Sequence, residues 1–141
     1  MLDRIIQRLS KRPAEWFLAA LDAYLGVWLL RPAASMDAPA FAAMTDLMTE
    51  DTWGSVLLLS SAVQFAALWV NGGRGWTPYA RCAAHMTGFA IFWIGAWAFY
   101  VVDKDTSGVP IWGALAVAHL LAACGAVAQL HYRRLTRRDV L

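Results

Sequence analysis

Apolar residues along this chain fall into four long runs, at about 14–30, 53–70, 79–102 and 109–131, separated by shorter polar stretches. Each run approaches the about 17–25 residues that an α-helix needs to cross the hydrocarbon of a bilayer. None alternates with the two-residue period of a half-buried strand. The pattern predicts an all-α, polytopic membrane protein, a four-helix transmembrane bundle occupying residues 1–141 as one domain. The polar stretches carry a pattern of their own. Residues 2–12 set Leu2, Ile5, Ile6 and Leu9 at helical spacing opposite basic residues, which predicts an N-terminal amphipathic helix in the headgroup region. Pro13 then redirects the chain into the first run. In the first loop, Ser35 or Asp37 can cap a helix with Pro39 in its first turn. Phe41, Met44, Leu47 and Met48 would share one face, so a second interfacial helix is expected over 39–50. The Asn71–Gly75 stretch reads as a flexible turn, and Asp103 to Gly108 as a tight one that makes the last two runs an antiparallel hairpin. The basic tail, 132–141, is expected to be solvated and partly disordered.

Charge orients this arrangement. The chain has 12 Lys and Arg residues and a net charge of +2. Threading the four runs alternately puts Arg4, Arg8, Lys11, Arg12, Arg74, Arg81, Arg133, Arg134, Arg137 and Arg138 on one face, and leaves Arg31 and Lys104 for the other. Asp37, Asp46, Glu50, Asp51, Asp103 and Asp105 join that second face. The positive-inside rule then predicts cytoplasmic N- and C-termini. Six tryptophans bracket the runs, Trp16, Trp69 and Trp76 inside and Trp28, Trp53 and Trp112 outside, at the depth where an indole keeps one edge wet. Trp93 and Trp97 lie within the third run and are read as packing or lipid-facing residues. The first run contains Asp22 and ends in Arg31-Pro32, so it is read as an uncleaved helix rather than a signal peptide. With 60% hydrophobic residues, no length remains for a soluble catalytic domain. Basic segments beside a membrane are topology signals and anionic-lipid contacts, so the lipid bilayer is the expected partner and nucleic acid is not.

Helices in lipid associate through small residues that let backbones approach. Ala114, Ala118, Ala122 and Ala126 recur every fourth residue in the last run, and Ala80, Ala84 and Gly88 in the third. Facing strips are expected, within the hairpin or between copies of the chain. Polar groups at membrane depth narrow the chemistry. Asp22 lies about 12 Å from the outer boundary and His119 about 13–14 Å, at 1.5 Å per residue, with Gln64 slightly deeper. A contact among Asp22, Gln64 and His119 would serve as a proton path, as the lining of an aqueous lumen, or as a hydrogen-bonded staple fixing helix register. Glu15 is expected to pair with Arg12 or Arg81 and to need no further role. Cys82 with His85, and Cys124 with His131, have spacings that match no standard zinc pattern, so no metal is expected. His85 and His119 read as several residues out of register, so no haem is expected either. No Ser-His-Asp set and no convergent carboxylate pair is present, and an enzyme is not expected.

Arg12-Pro13-Ala14-Glu15-Trp16 and Gly26-Val27-Trp28-Leu29-Leu30-Arg31-Pro32 resemble stretches that open and close the first span of small four-span membrane proteins of tailed bacteriophages and prophages. Ala40-Phe41-Ala42-Ala43-Met44 and Trp53-Gly54 continue the likeness in the first half of the chain. Some of those proteins are termed holin-like. The resemblance implies a phage or bacterial inner (cytoplasmic) membrane context and supplies no catalytic residue. The expected function is that of a non-enzymatic protein with no cofactor that self-associates as a homo-oligomer or docks with other membrane subunits, holin-like permeabilisation being the most concrete form. The alternatives are an accessory subunit of a larger membrane complex, or a proton-coupled protein using Asp22 and His119.

Overall fold

A computed structural model of the chain describes residues 10–32, 36–70, 74–102 and 104–138, with side chains as far as Tyr132. Every regular element among them is helical: α1 (Pro13–Leu29), a single 3-10 turn (Pro39–Phe41), α2 (Ala42–Thr45), α3 (Glu50–Val70), α4 (Thr77–Val102) and α5 (Gly108–Arg138). Three stretches are long and apolar enough to cross a membrane: Glu50–Val70, Thr77–Val102 and Gly108–Tyr132. With 17 residues, α1 stands at the lower limit of the about 17–25 a spanning helix needs. The amphipathic segment expected at 2–12 lies outside the described residues, apart from Ser10, Lys11 and Arg12.

Helix starts follow local chemistry. Pro13, Pro78 and Pro110 stand in the first turns of α1, α4 and α5, where a missing N–H breaks no intrahelical bond. Thr49 caps α3, its Oγ1 accepting from the Thr52 amide at 3.3 Å, and Glu50 and Asp51 put negative charge in the first turn. Two expectations change here. The helix expected over 39–50 is only the 3-10 turn and α2, entered from Ala38 without a side-chain cap rather than from Asp37, while Ser35 lies outside the described residues. Burial decides this, because the loop folds over the end of the bundle. Met36 and Met44 pack there with Leu29, Trp53, Leu57 and Ile91, and the Trp53 indole N–H donates to the Met44 carbonyl at 3.0 Å. The tail, expected to be solvated and partly disordered, continues α5 as far as Arg138, with 139–141 outside the described residues; 131–138 contains neither Gly nor Pro and has four Arg, a good helix former.

The long helices pack in chain order, α1 on α3, α3 on α4 and α4 on α5, while α1 and α5 scarcely touch. Small residues set each crossing. A Cβ on Gly26 would lie 2.9 Å from the Gly54 carbonyl oxygen, and one on Gly54 would lie 3.0 Å from that of Gly26. Gly54→Val is therefore expected to destabilise the protein by about 1–3 kcal/mol through overpacking. Thermal unfolding in detergent would measure it, and an unchanged midpoint would contradict so close a crossing. Consecutive serines of α3 fasten it on both sides. Ser61 Oγ donates to the Ala19 carbonyl of α1 at 2.9 Å, and Ser60 Oγ to the Ala84 carbonyl of α4 at 3.1 Å.

In the α4–α5 hairpin, rings of one helix fill glycine gaps of the other. A Cβ on Gly88 would lie 2.4 Å from His119 Nδ1, and one on Gly95 would lie 1.9 Å from Trp112 Cε3. The buried seam of α5 runs through Ala116, His119, Ala123 and Ala126. The expected strip is thus displaced. Ala126 and, on α4, Ala84 and Gly88 lie buried in the hairpin, but Ala80, Ala118 and Ala122 are only half-buried and Ala114 is exposed. A strict four-residue repeat drifts by about 40° per step at 3.6 residues per turn, so it cannot follow one seam as a 3-4-3 spacing does. Trp93 and Trp97 face outward. Trp53, in contrast, is buried in the core at the loop-covered end.

Candidate functional site, a buried chain of carboxylates and imidazoles

Glu15 and Asp22 lie two turns apart on α1, on the face that also carries Leu18, Ala19, Gly26 and Leu29 inward. Across from them stand His85 of α4, His119 of α5 and Gln64 of α3. Asp22, Gln64, His85 and His119 are all completely enclosed. Ionisable groups at this depth persist only when paired, because removing a charge from water costs far more than apolar packing returns.

The groups form a succession. At the basic end, Arg81 grips Glu15 with two nearly parallel bonds, Nε to Oε2 at 2.6 Å and Nη2 to Oε1 at 3.1 Å, while its Nη1 donates to Gln129 Oε1 at 3.0 Å. Arg12 adds a contact to Glu15 Oε1 at 3.2 Å. The bidentate pairing fixes the carboxylate plane. Glu15 Oε2 then lies 3.4 Å from His85 Nε2, and His85 Nδ1 lies 3.3 Å from His119 Nδ1. His119 Nε2 is 3.3 Å from Asp22 Oδ1, and Asp22 Oδ2 accepts from Gln64 Nε2 at 3.1 Å. The His119–Asp22 approach is close enough for charge pairing but off hydrogen-bond line, leaving His119 Nε2, Asp22 Oδ1 and Gln64 Oε1 without a hydrogen-bond partner. The chain is therefore continuous in distance and interrupted in alignment at one place.

Local packing holds these side chains. Gly88 admits the His119 ring, and Phe92 stacks on its other side with centroids 5.3 Å apart and planes at 23°. Phe92 in turn meets Trp112 at 5.5 Å. Beyond Asp22 the interior is a small void of about 30 Å³ walled by aliphatic, methionine and aromatic side chains. At the opposite end the chain opens to the surface, at a cleft lined by Lys11, Arg12, Glu15, Arg81, Gly125 and Gln129. The site thus has a polar mouth and an apolar stop.

The structure brings together Asp22, Gln64 and His119, the three polar residues singled out from depth. It corrects the register of the histidines: His85 and His119 meet, because Gly88 faces His119 and lies three residues, about 4.5 Å along the helix, from His85. Glu15 gains a role beyond its arginine pair, since it also reaches His85. Cys82 is half-buried, and Cys124 and His131 are exposed on α5, apart from His85. Among the described residues no group of three or more His, Cys, Asp or Glu is placed to hold a metal ion. The His119 ring is packed against Gly88 and Phe92. Comparison with protein-family models, with curated proteins and with solved structures finds no match to this chain.

Proposed function

We propose that this is a non-enzymatic, four-span protein of a bacterial inner membrane, with cytoplasmic termini, whose interior takes up a proton from the cytoplasmic side. One observation carries the reading: Glu15, His85, His119 and Asp22 succeed one another with ring nitrogens and carboxylate oxygens 3.3–3.4 Å apart. The three contacts, Glu15 to His85, His85 to His119 and His119 to Asp22, each bring two lone-pair-bearing atoms within 3.4 Å, the last of them off hydrogen-bond line. Each contact is attractive only with a proton in it. Two neutral imidazoles bring one ring N–H apiece, so the third contact needs a proton from outside. With it, the histidine pair carries one positive charge between two carboxylates, and Arg81 balances the remaining one.

The route follows from the geometry. A proton arriving at the Glu15–His85 contact binds His85 Nε2, His85 passes its Nδ1 proton to His119 Nδ1, and His119 releases its Nε2 proton toward Asp22 Oδ1. A change in the tilt of the His119 ring, which brings Nε2 into line, is the step that admits it. The groups facing the histidines are Glu15 and Asp22 from α1, Gln64 from α3 and Arg81 from α4, with Arg12 and Gln129 at the mouth. Because the aromatic stop ends the path, it is a half-channel, which suits a proton-coupled subunit of a membrane assembly. A lumen between copies draws no support from Asp22, Gln64 or His119, all enclosed within a single chain. The fourth span is supplied by α1, and outward-facing Phe17, Tyr24, Trp93, Trp97 and Leu121 suit contact with lipid.

Proton uptake after an acidifying pH step tests this in nanodiscs with a pH-sensitive dye. A His131→Ala background removes the exposed histidine. About one proton per chain is expected, lost in His85→Ala and in Asp22→Asn. Equal uptake in all three proteins would sink the proposal.

A further inference from the structure

We infer that the groove between α1 and α5 is a binding site for an anionic glycerophospholipid, with an acyl chain along the helices and the phosphate at Lys11 and Arg12. The two helices scarcely touch, and the space between them is a groove of about 530 Å³. Its walls are Phe17 and Leu18 of α1 with Leu115, Ala118, Leu121 and Ala122 of α5, and its mouth carries Lys11 and Arg12. The chemistry is therefore graded along its length, apolar in the depth and cationic at one end. That is the order of tail and headgroup in a phospholipid anchored at a membrane surface. Basic pockets between membrane helices on the cytoplasmic side recognise anionic headgroups in this way.

The small residues of α5 make the fit. Ala118 and Ala122, set aside from the buried seam with α4, thin the helix where the groove is, and nothing larger could stand there without filling it. The polar cleft that opens onto Glu15 and Arg81 shares Lys11, Arg12, Glu15 and Gly125 with this groove. A phosphate at Lys11 thus stands at the mouth of the carboxylate–imidazole chain, and the lipid becomes part of the wall through which a proton passes. The inference rests on the proposed membrane location and not on proton uptake.

Native mass spectrometry of protein exchanged into phosphatidylglycerol or phosphatidylcholine nanodiscs, then released into detergent, tests it. Retention of about one phosphatidylglycerol per chain is expected, with phosphatidylcholine lost. Ala122→Trp, which fills the groove, should abolish retention, and Lys11→Ala should weaken it several-fold while helical content is unchanged. Equal retention of the two lipids, or full retention in Ala122→Trp, would overturn the assignment. So would a disulfide-linked dimer formed by Ala122→Cys in a Cys82→Ala/Cys124→Ala background, which would give the groove to a second copy. Failure to enter nanodiscs at all would instead overturn the membrane location.

Discussion

A His119→Ala protein is expected to lose about 3–5 kcal/mol of stability. Asp22 is fully enclosed, and its Oδ1 faces His119 Nε2 at 3.3 Å. Without the imidazole, the Asp22 carboxyl group keeps only the Gln64 amide at 3.1 Å. Truncation also empties the space between Gly88 and Phe92. The pairing component separates from the cavity component in a double-mutant cycle. Asp22→Asn replaces the unpaired carboxyl oxygen while keeping the side chain's shape, so the double variant should recover part of the loss. Chemical unfolding in detergent micelles measures all three. Strictly additive losses would mean that Asp22 and His119 do not act as a pair. His85→Ala removes a similar volume but leaves Glu15 with Arg81 at 2.6 Å, so it should cost less stability while still stopping proton uptake. That divergence between stability and uptake separates a proton path from a structural staple.

Gly95→Ala is expected to open the α4–α5 hairpin. The added Cβ would lie 1.9 Å from Trp112 Cε3, so the indole must move. It has little freedom to do so, because Phe41, Phe92 and Phe99 pack on it with centroids 6.0, 5.5 and 5.9 Å away. Overpacking of this kind costs about 1–3 kcal/mol, occasionally more. Trp112→Leu in the Gly95→Ala protein should restore part of the loss, while Trp112→Leu alone should destabilise by leaving a void. Thermal unfolding of the four proteins measures the coupling, and a Gly95→Ala protein as stable as the wild type would contradict the register. The effect should also reach the chain of imidazoles. Gly88 and Gly95 are two turns apart on one face of α4, and His119 and Trp112 two turns apart on α5, so the indole and the imidazole share one register.

Much of the helical architecture could be read before any coordinates. Apolar runs of membrane-crossing length predict where α3, α4 and α5 lie, because an unpaired backbone group in an apolar setting is too costly for any other conformation. Asp22 stood out as one acidic residue inside such a run. Other features were out of reach of a linear reading. A repeat of alanines every fourth residue drew attention to Ala114, Ala118 and Ala122, yet the buried seam follows the 3-4-3 spacing of Ala116, His119, Ala123 and Ala126. The loop at 36–48 carries an amphipathic pattern suited to a surface helix, but Met36 and Met44 are drawn across the end of the bundle instead.

Sequence alone determined the helical class and the approximate extent of the long helices, since each follows from local composition and period. Tertiary structure alone decided that Glu15, His85, His119 and Asp22 succeed one another. They come from three helices, and their contacts depend on rotations and offsets of a few ångströms set by Gly26, Gly54, Gly88 and Gly95. Such offsets arise from how ring and glycine surfaces fit, a property of pairs of helices that no single helix's sequence contains.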